Sequence, residues 1–221
     1  MVAQSTGSEG GEAKDLAEAE IHAIRDTGLV ETRRNQILDA SLRLFLEKGF
    51  AATTVREICA ASGVNQASLY DYIANKQDIL RRLLNRLWFD RQVERLVDRL
   101  AAASSDRALS SILVEYYREN WRERRDGILL AYRSVPHLAE EDKRTLRARE
   151  ERLIGELSKT LALRTGAAEG DPRVRTIANF MIYLNAFGPM RDWLMTPEEA
   201  DMALDMVAAG IDGMVEAIRR G

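Results

Sequence analysis

Apolar residues recur at helical spacing along nearly the whole of this chain. Leu109, Ile112, Leu113, Tyr116, Tyr117 and Trp121 share one helical face, and Leu146, Leu153, Leu157 and Leu161 share another. Alternating β-branched strands with hairpin turns are absent. Only four prolines, at 136, 172, 189 and 197, interrupt 221 residues. This pattern predicts an all-α protein, long enough for one large domain or two small ones sharing a core.

Punctuation marks divide the pattern into helices. The first is expected over about 31–48, with Ile37, Ala40, Ser41, Leu44 and Phe45 as its stripe and Gly49 as a left-handed cap. Thr54 and Glu57 have capping-box spacing and open a second helix, which buries Val55, Ile58 and Cys59 and ends at Ser62-Gly63. Asn65 caps a third helix, to about 71. Asn75 and Asp78 open a fourth, expected to run to about 101. Longer helices follow over about 106–124, 126–134, 139–164 and 172–188, the last begun by Asp171 and Pro172. Thr196 and Glu199 repeat the capping box before a final helix. Residues 1–28 are expected to be a flexible extension, although 13–26 admits a helix with a thin apolar face.

Composition bounds the function. No apolar run approaches the length of a membrane span, and "MVAQSTGSEGGEAKD" lacks the basic start and apolar core of a signal peptide, so the chain is expected to be cytoplasmic. Cys59 is the single cysteine. His22 and His137 have no metal-ligand partners in sequence, and no Cys-His, Ser-His-Asp or paired-carboxylate arrangement is visible. No metal, no cofactor and no enzymatic activity are therefore expected. The net charge of −3 does not advertise a nucleic-acid binder, but a small basic face can sit on an acidic protein.

Three short helices joined by tight turns, with "ASGV" between the last two, make a helix-turn-helix. The third is too short to be stable alone, so Val64, Leu69 and Ile73 must anchor it. That leaves Asn65, Gln66, Ser68, Tyr70, Asp71 and Tyr72 for the outward side. Amides and hydroxyls suit base edges and phosphate oxygens, and Lys76 at a helix start suits a phosphate. An acid facing phosphates is unfavourable, so Asp71 is expected to point away. Arg33, Arg34 and Arg56 are secondary phosphate candidates.

"ATTVREICAASGVNQASLYDYIANKQDIL" resembles the DNA-binding domain of the TetR family of one-component regulators. Thr54, Val55, Ile58, Gly63, Val64, Leu69, Tyr70, Tyr72 and Lys76 stand at the family's pattern positions, within about 34–80. Ile73 replaces the usual Phe and Ala67 a frequent Gly. The resemblance implies that Tyr70, Tyr72 and Lys76 bind the DNA backbone and that Gln66 and Ser68 lie near bases. With Thr54, Asn65 and Arg56 these form the expected DNA-binding set. The expected units are residues 1–28, a helix-turn-helix domain over 29–78, and a helical-bundle ligand-binding and dimerisation domain over 79–221.

In the second unit, "IANFMIYLNAFG" is apolar nearly all round, and the last helix has a seam of small residues and methionines. Ile182, Ala203, Met206, Val207, Gly210, Ile211 and Met214 are the expected homodimer interface, as the resemblance also implies for the last two long helices. Trp88, Phe89, Tyr116, Tyr117, Trp121, Tyr132, Asn179, Tyr183 and Asn185 are candidates for an apolar ligand pocket with a few polar groups. "LLAYRSVPHLAEEDKRTLRAREERLIGEL" also resembles the ligand domain of fatty-acid-type TetR regulators that sense acyl-CoA esters, with Tyr132, Arg133, Trp193 and the 196–199 cap matching. Arg118, Arg122, Arg124, Arg125 and Arg133 then become candidates for CoA phosphates. The function expected is a dimeric repressor on a palindromic double-stranded operator, released by a hydrophobic small molecule, acyl-CoA foremost. The alternatives are a non-CoA lipophilic effector, a constitutive DNA-binding dimer, and an all-α enzyme acting on a CoA ester.

Overall fold

The computed structural model describes residues 15–21, 27–89, 94–104 and 106–220. Among these there are α-helices and no strand. The helices are α1 (Thr27–Lys48), α2 (Val55–Ser62), α3 (Gln66–Leu69), α4 (Lys76–Leu87), α5 (Leu96–Ala102), α6 (Leu109–Glu123), α7 (Arg125–Ser134), α8 (Glu140–Thr165), α9 (Pro172–Leu184), α10 (Phe187–Arg191) and α11 (Pro197–Arg220). A 3-10 turn, Val135–His137, lies between α7 and α8.

Local chemistry sets most of the helix ends. The Thr54 hydroxyl accepts the Glu57 N–H, and the Glu57 carboxylate accepts the Thr54 N–H at 2.8 Å, which closes the capping box of α2. Gly63 then takes φ 69°, where a side chain would be strained, and turns the chain into α3. Asn65 Oδ1 accepts the Ala67 N–H at 2.9 Å, and Asn75 Oδ1 accepts the Asp78 N–H at 2.9 Å. Asp171 and Pro172 open α9; Thr196 and Glu199 open α11.

Two hydrophobic cores result. The first joins α1 to α4 through Ile37, Phe45, Ile58, Leu69, Ile73, Ile79, Leu80 and Leu83, and it continues into Leu130 and Ala131 of α7 and into Leu138. The helix-turn-helix is thus fused to α7 by packing. Gly127 of α7 approaches α4 so closely that an added Cβ would lie 2.8 Å from the Leu87 carbonyl oxygen. Polar latches add to the join: Gln77 donates to the His137 carbonyl at 2.9 Å, and Arg81 pairs with Asp142 near the start of α8. The second core unites α5, α6, α8, α9 and α11 around Leu100, Ile112, Tyr117, Leu157, Ala178, Met181, Ala208 and Ile211.

Three elements differ from expectation. The fourth helix stops at Leu87, not near 101, because Trp88 and Phe89 turn inward: the Phe89 N–H bonds the Leu84 carbonyl, and Phe89 is buried in the first core. The 172–188 helix breaks after Leu184. Pro189 has no N–H to give the Asn185 carbonyl, and its ring clashes with that oxygen in a continuous helix. Residues 15–21 are not helical, and they pack against the first core where a flexible extension is expected over 1–28. Leu16 is buried in the first core, and its N–H and C=O pair with the Asn85 side chain at 3.0 and 2.9 Å. The Ala19 N–H donates to Asp78 at 2.9 Å, and Arg82 donates to the Ala19 carbonyl at 2.6 Å. One buried leucine with polar partners on α4 holds a non-helical strap where a thin apolar face cannot hold a helix. The rest of that extension, residues 1–14 and 22–26 with His22 among them, lies outside the described residues.

Candidate DNA-binding face and ligand cavity

Because Val64, Leu69 and Ile73 are buried, α3 can present only its opposite side to solvent. Asn65, Gln66 and Tyr70 are exposed there, Ser68 partly so. Asn65 Oδ1 is engaged as the cap of α3, which leaves its amide N–H₂ to face outward. Tyr72 is half-buried on the first core, and its carbonyl accepts Arg34 Nε at 3.3 Å. Arg56 is exposed and without a polar partner among the described residues. Thr54 Oγ1 is tied to Glu57, whose carboxylate also meets Lys48. The Lys48 ammonium and the Thr54 hydroxyl and N–H hold the Glu57 pKa down at about 2, so this ion pair persists through the neutral range.

Lys76 differs from its expectation as an outward cation. Its Nζ donates to the carbonyls of Phe50 at 2.9 Å and Thr53 at 2.8 Å and lies 4.4 Å from the centroid of the Phe50 ring. Burial lowers its pKa. The lysine therefore stitches α4 to the α1–α2 turn. Asp71 lines a cleft between α1 and α4 together with Arg34, Arg82 and Arg86.

A cavity of about 370 Å³ lies where α4 ends, walled by α5 to α9. Trp88, Leu96, Tyr116, Ile128, Leu153 and Met181 supply apolar surface; Arg124, Glu150, Arg152 and Asn185 supply polar groups. Of the expected ligand residues, Trp88 and Tyr116 line it, and so does Asn185. The others do not. Phe89 lies in the first core under the Arg149 guanidinium, 4.0 Å from its ring centroid. Tyr117 is wholly buried and donates to the Met181 carbonyl at 2.7 Å. Trp121 packs on Phe187 and on Gly188, where a Cβ would fall 2.0 Å from the indole. Tyr132 sits edge-on between Trp88 and Tyr183, and burial with the nearby Glu150 charge raises its pKa to about 12. Arg133 donates to the Leu46 carbonyl at 2.9 Å. Asn179 and Tyr183 lie on the outer side of α9, opposite the buried Ala178 and Met181. Of the arginines expected for phosphates, Arg118 pairs with Asp201 and Arg125 with Asp192, and only Arg124 reaches the cavity. Sequence reasoning missed Leu96, Glu150, Arg152 and Leu153. Leu153 lies on the Leu153–Leu157 stripe of α8 and Glu150 one turn before it, the signal that pointed to those two.

The expected interface residues divide. Met206, Gly210 and Met214 are exposed, with Met206 at 69%; Ile182, Ala203 and Val207 are partly buried. Ile211 is 0% exposed inside the second core, so it is not part of an outer seam. Phe180 and Met202 are exposed as well, which leaves an apolar band along α9 and α11.

A family model described as "Bacterial regulatory proteins, tetR family" matches residues 37–83. The chain is 34% identical over 139 residues to the HTH-type transcriptional regulator HbdR of Aromatoleum sp. (strain CIB), a match covering 59% of this chain and 56% of that one. It spans about half the length of the curated relatives that it matches first. A TetR-family transcriptional regulator from Bordetella parapertussis 12822 has the same fold, with a TM-score of 0.65 at 18% identity over 82% of this chain and 94% of that one. So does AibR, solved in complex with isovaleryl coenzyme A and operator DNA, with a TM-score of 0.59 at 21% identity over 82% and 97%.

Proposed function

Because this chain belongs to the TetR family of bacterial regulatory proteins, we propose that it is a cytoplasmic, dimeric repressor released from its operator by a small apolar effector. The observation that carries the reading is physical continuity. Trp88 lines the cavity at the end of α4, and Lys76 at the start of α4 holds the turn that positions α2 and α3. In this reading Gln66 and Ser68 face bases, and Tyr70, Tyr72, Thr54, Asn65 and Arg56 contact or position the backbone. The exposed band of α9 and α11 meets its copy about a two-fold axis, which pairs two α3 helices with a palindromic site.

Signal transfer needs only that the effector bind one α4 position better than the other. Arg124 is placed to sense it: it lines the cavity and donates to the carbonyls of Leu87 and Trp88 at 3.5 and 3.4 Å. An acyl-CoA is the effector we favour. AibR, with isovaleryl coenzyme A in its solved complex, supports that class. The cavity accommodates the acyl end alone, with the nucleotide outside near Arg152. The second reading, a compact lipophilic compound without CoA, is favoured by that same small volume.

The test is a gel-shift titration with DNA from upstream of the chain's own gene, repeated with octanoyl-CoA and with 3-hydroxyoctanoyl-CoA. Binding that weakens with salt, and release by a thioester, are expected. No binding to any such fragment defeats the repressor reading; binding without release defeats the acyl-CoA effector.

A further inference from the structure

The cavity wall carries polar groups that the protein leaves unsatisfied. Asn185 Oδ1 is fully buried and accepts no hydrogen bond from the described residues. Its backbone is fixed where α9 ends, by its N–H bond to the Met181 carbonyl. Glu150, on α8, has neither a hydrogen bond nor an ion pair among the described residues, and burial raises its pKa. The other two carboxylates on the wall are satisfied, since Asp98 and Glu156 both pair with Arg95. Buried acceptors are normally paired, so Asn185 Oδ1 calls for a missing donor, and Glu150, partly buried on the same wall, is a second acceptor for it.

The charges around the wall exclude an ion as that donor. Arg95, Arg124, Arg149 and Arg152 line the cavity against Asp98, Glu150 and Glu156, which disfavours a buried cation. An anion inside the cavity meets Glu150, and Arg95, Arg124 and Arg149 already have partners, while Arg152 is exposed to solvent. Trp88, Tyr116, Ile128 and Leu153 offer apolar faces to the remainder of a guest.

Resting on the ligand-responsive reading above, we propose that the part of the effector inside the cavity, a hydroxyacyl rather than a plain acyl group where the effector is a CoA ester, carries a neutral hydrogen-bond donor, a hydroxyl or an amide N–H, which donates to Asn185 Oδ1, with Glu150 as the second acceptor on the same wall. This donor, more than chain length, selects the effector. A site built to pair a donor discriminates against the analogue that lacks it, because its own polar groups are then left unpaired.

The probes are 1-naphthol and its methyl ether, which share a ring system and differ in the donor, compared by calorimetric titration. The naphthol is expected to bind at least about tenfold more tightly. In Asn185→Leu and in Glu150→Leu the gap is expected to shrink, to within about twofold when both are combined. Equal affinities in the unaltered protein, or binding of neither probe, overturn the proposal without recourse to the variants. A preference that survives in the variants overturns it too. Operator binding measured on the same preparation separates the two readings: DNA bound without donor preference defeats this inference alone, and donor preference without DNA binding defeats the repressor.

Discussion

Arg81 Nε lies 2.9 Å from both carboxylate oxygens of Asp142, joining α4 to the start of α8. The Asp142 side chain is only 3% exposed. Removing the arginine strands a buried carboxylate. Arg81→Met is expected to cost about 3 kcal/mol in chemical denaturation, and adding Asp142→Leu to recover most of it. A loss under about 0.5 kcal/mol for the single variant would mean that the pair is effectively solvated.

Lys76 and Tyr70 should separate stability from recognition. Lys76→Met deprives the Phe50 and Thr53 carbonyls of a charged donor and is expected to destabilise the fold by about 2 kcal/mol, so its DNA defect comes with a lower Tm. Tyr70→Phe removes only an exposed hydroxyl. It is expected to weaken operator binding several-fold at an unchanged Tm, read by anisotropy and thermal melting.

The capping box of α2 has an acid limit. Because the Glu57 pKa is lowered from 4.5 to about 2, its contribution is fully present above pH 4.5 and is lost as pH falls through about 2. The Thr54 amide proton resonance is expected to titrate with the lower midpoint, and that step to vanish in Glu57→Gln. A midpoint near 4.5 would show that Lys48 and Thr54 do not hold the carboxylate. Thr54→Val, which removes the cap itself, is expected to cost about 1 kcal/mol.

The apolar band on α9 and α11 is expected to be where two copies meet. Met206→Glu together with Phe180→Asp should give a monomer by sedimentation with its helical content intact. Operator affinity should then fall steeply, because a single α3 reads one half-site. A double variant that still sediments as a dimer would place the interface elsewhere.

The sequence disclosed what local chemistry determines. Thr54, Asn65, Asn75, Asp171 and Thr196 announce helix starts, because a side-chain oxygen within reach of free N–H groups acts in the same way in any fold. The core faces of α1 to α3 were readable from the helical spacing of their apolar residues. The cavity was less so. Tyr117, Trp121 and Tyr132 have the composition of a ligand site, yet which of two packed cores an aromatic enters depends on where α4 stops and α9 breaks. Ile211 shows the same limit: four residues after Val207 and three before Met214, it is rotated just far enough to face its own core. Lys76 was legible as important, but its acceptors lie 23 and 26 residues away in sequence, beyond any local pattern.

The contact of Gly127 with Leu87 leaves α4 and α7 no clearance to slide past one another. Whatever shifts one must carry the other, and with it the core that α7 shares with α1 to α3. In the response proposed above, the part that moves is a wedge of five helices sharing one core. Arg124, the single residue between α6 and α7, stands at its edge and also forms part of the cavity wall.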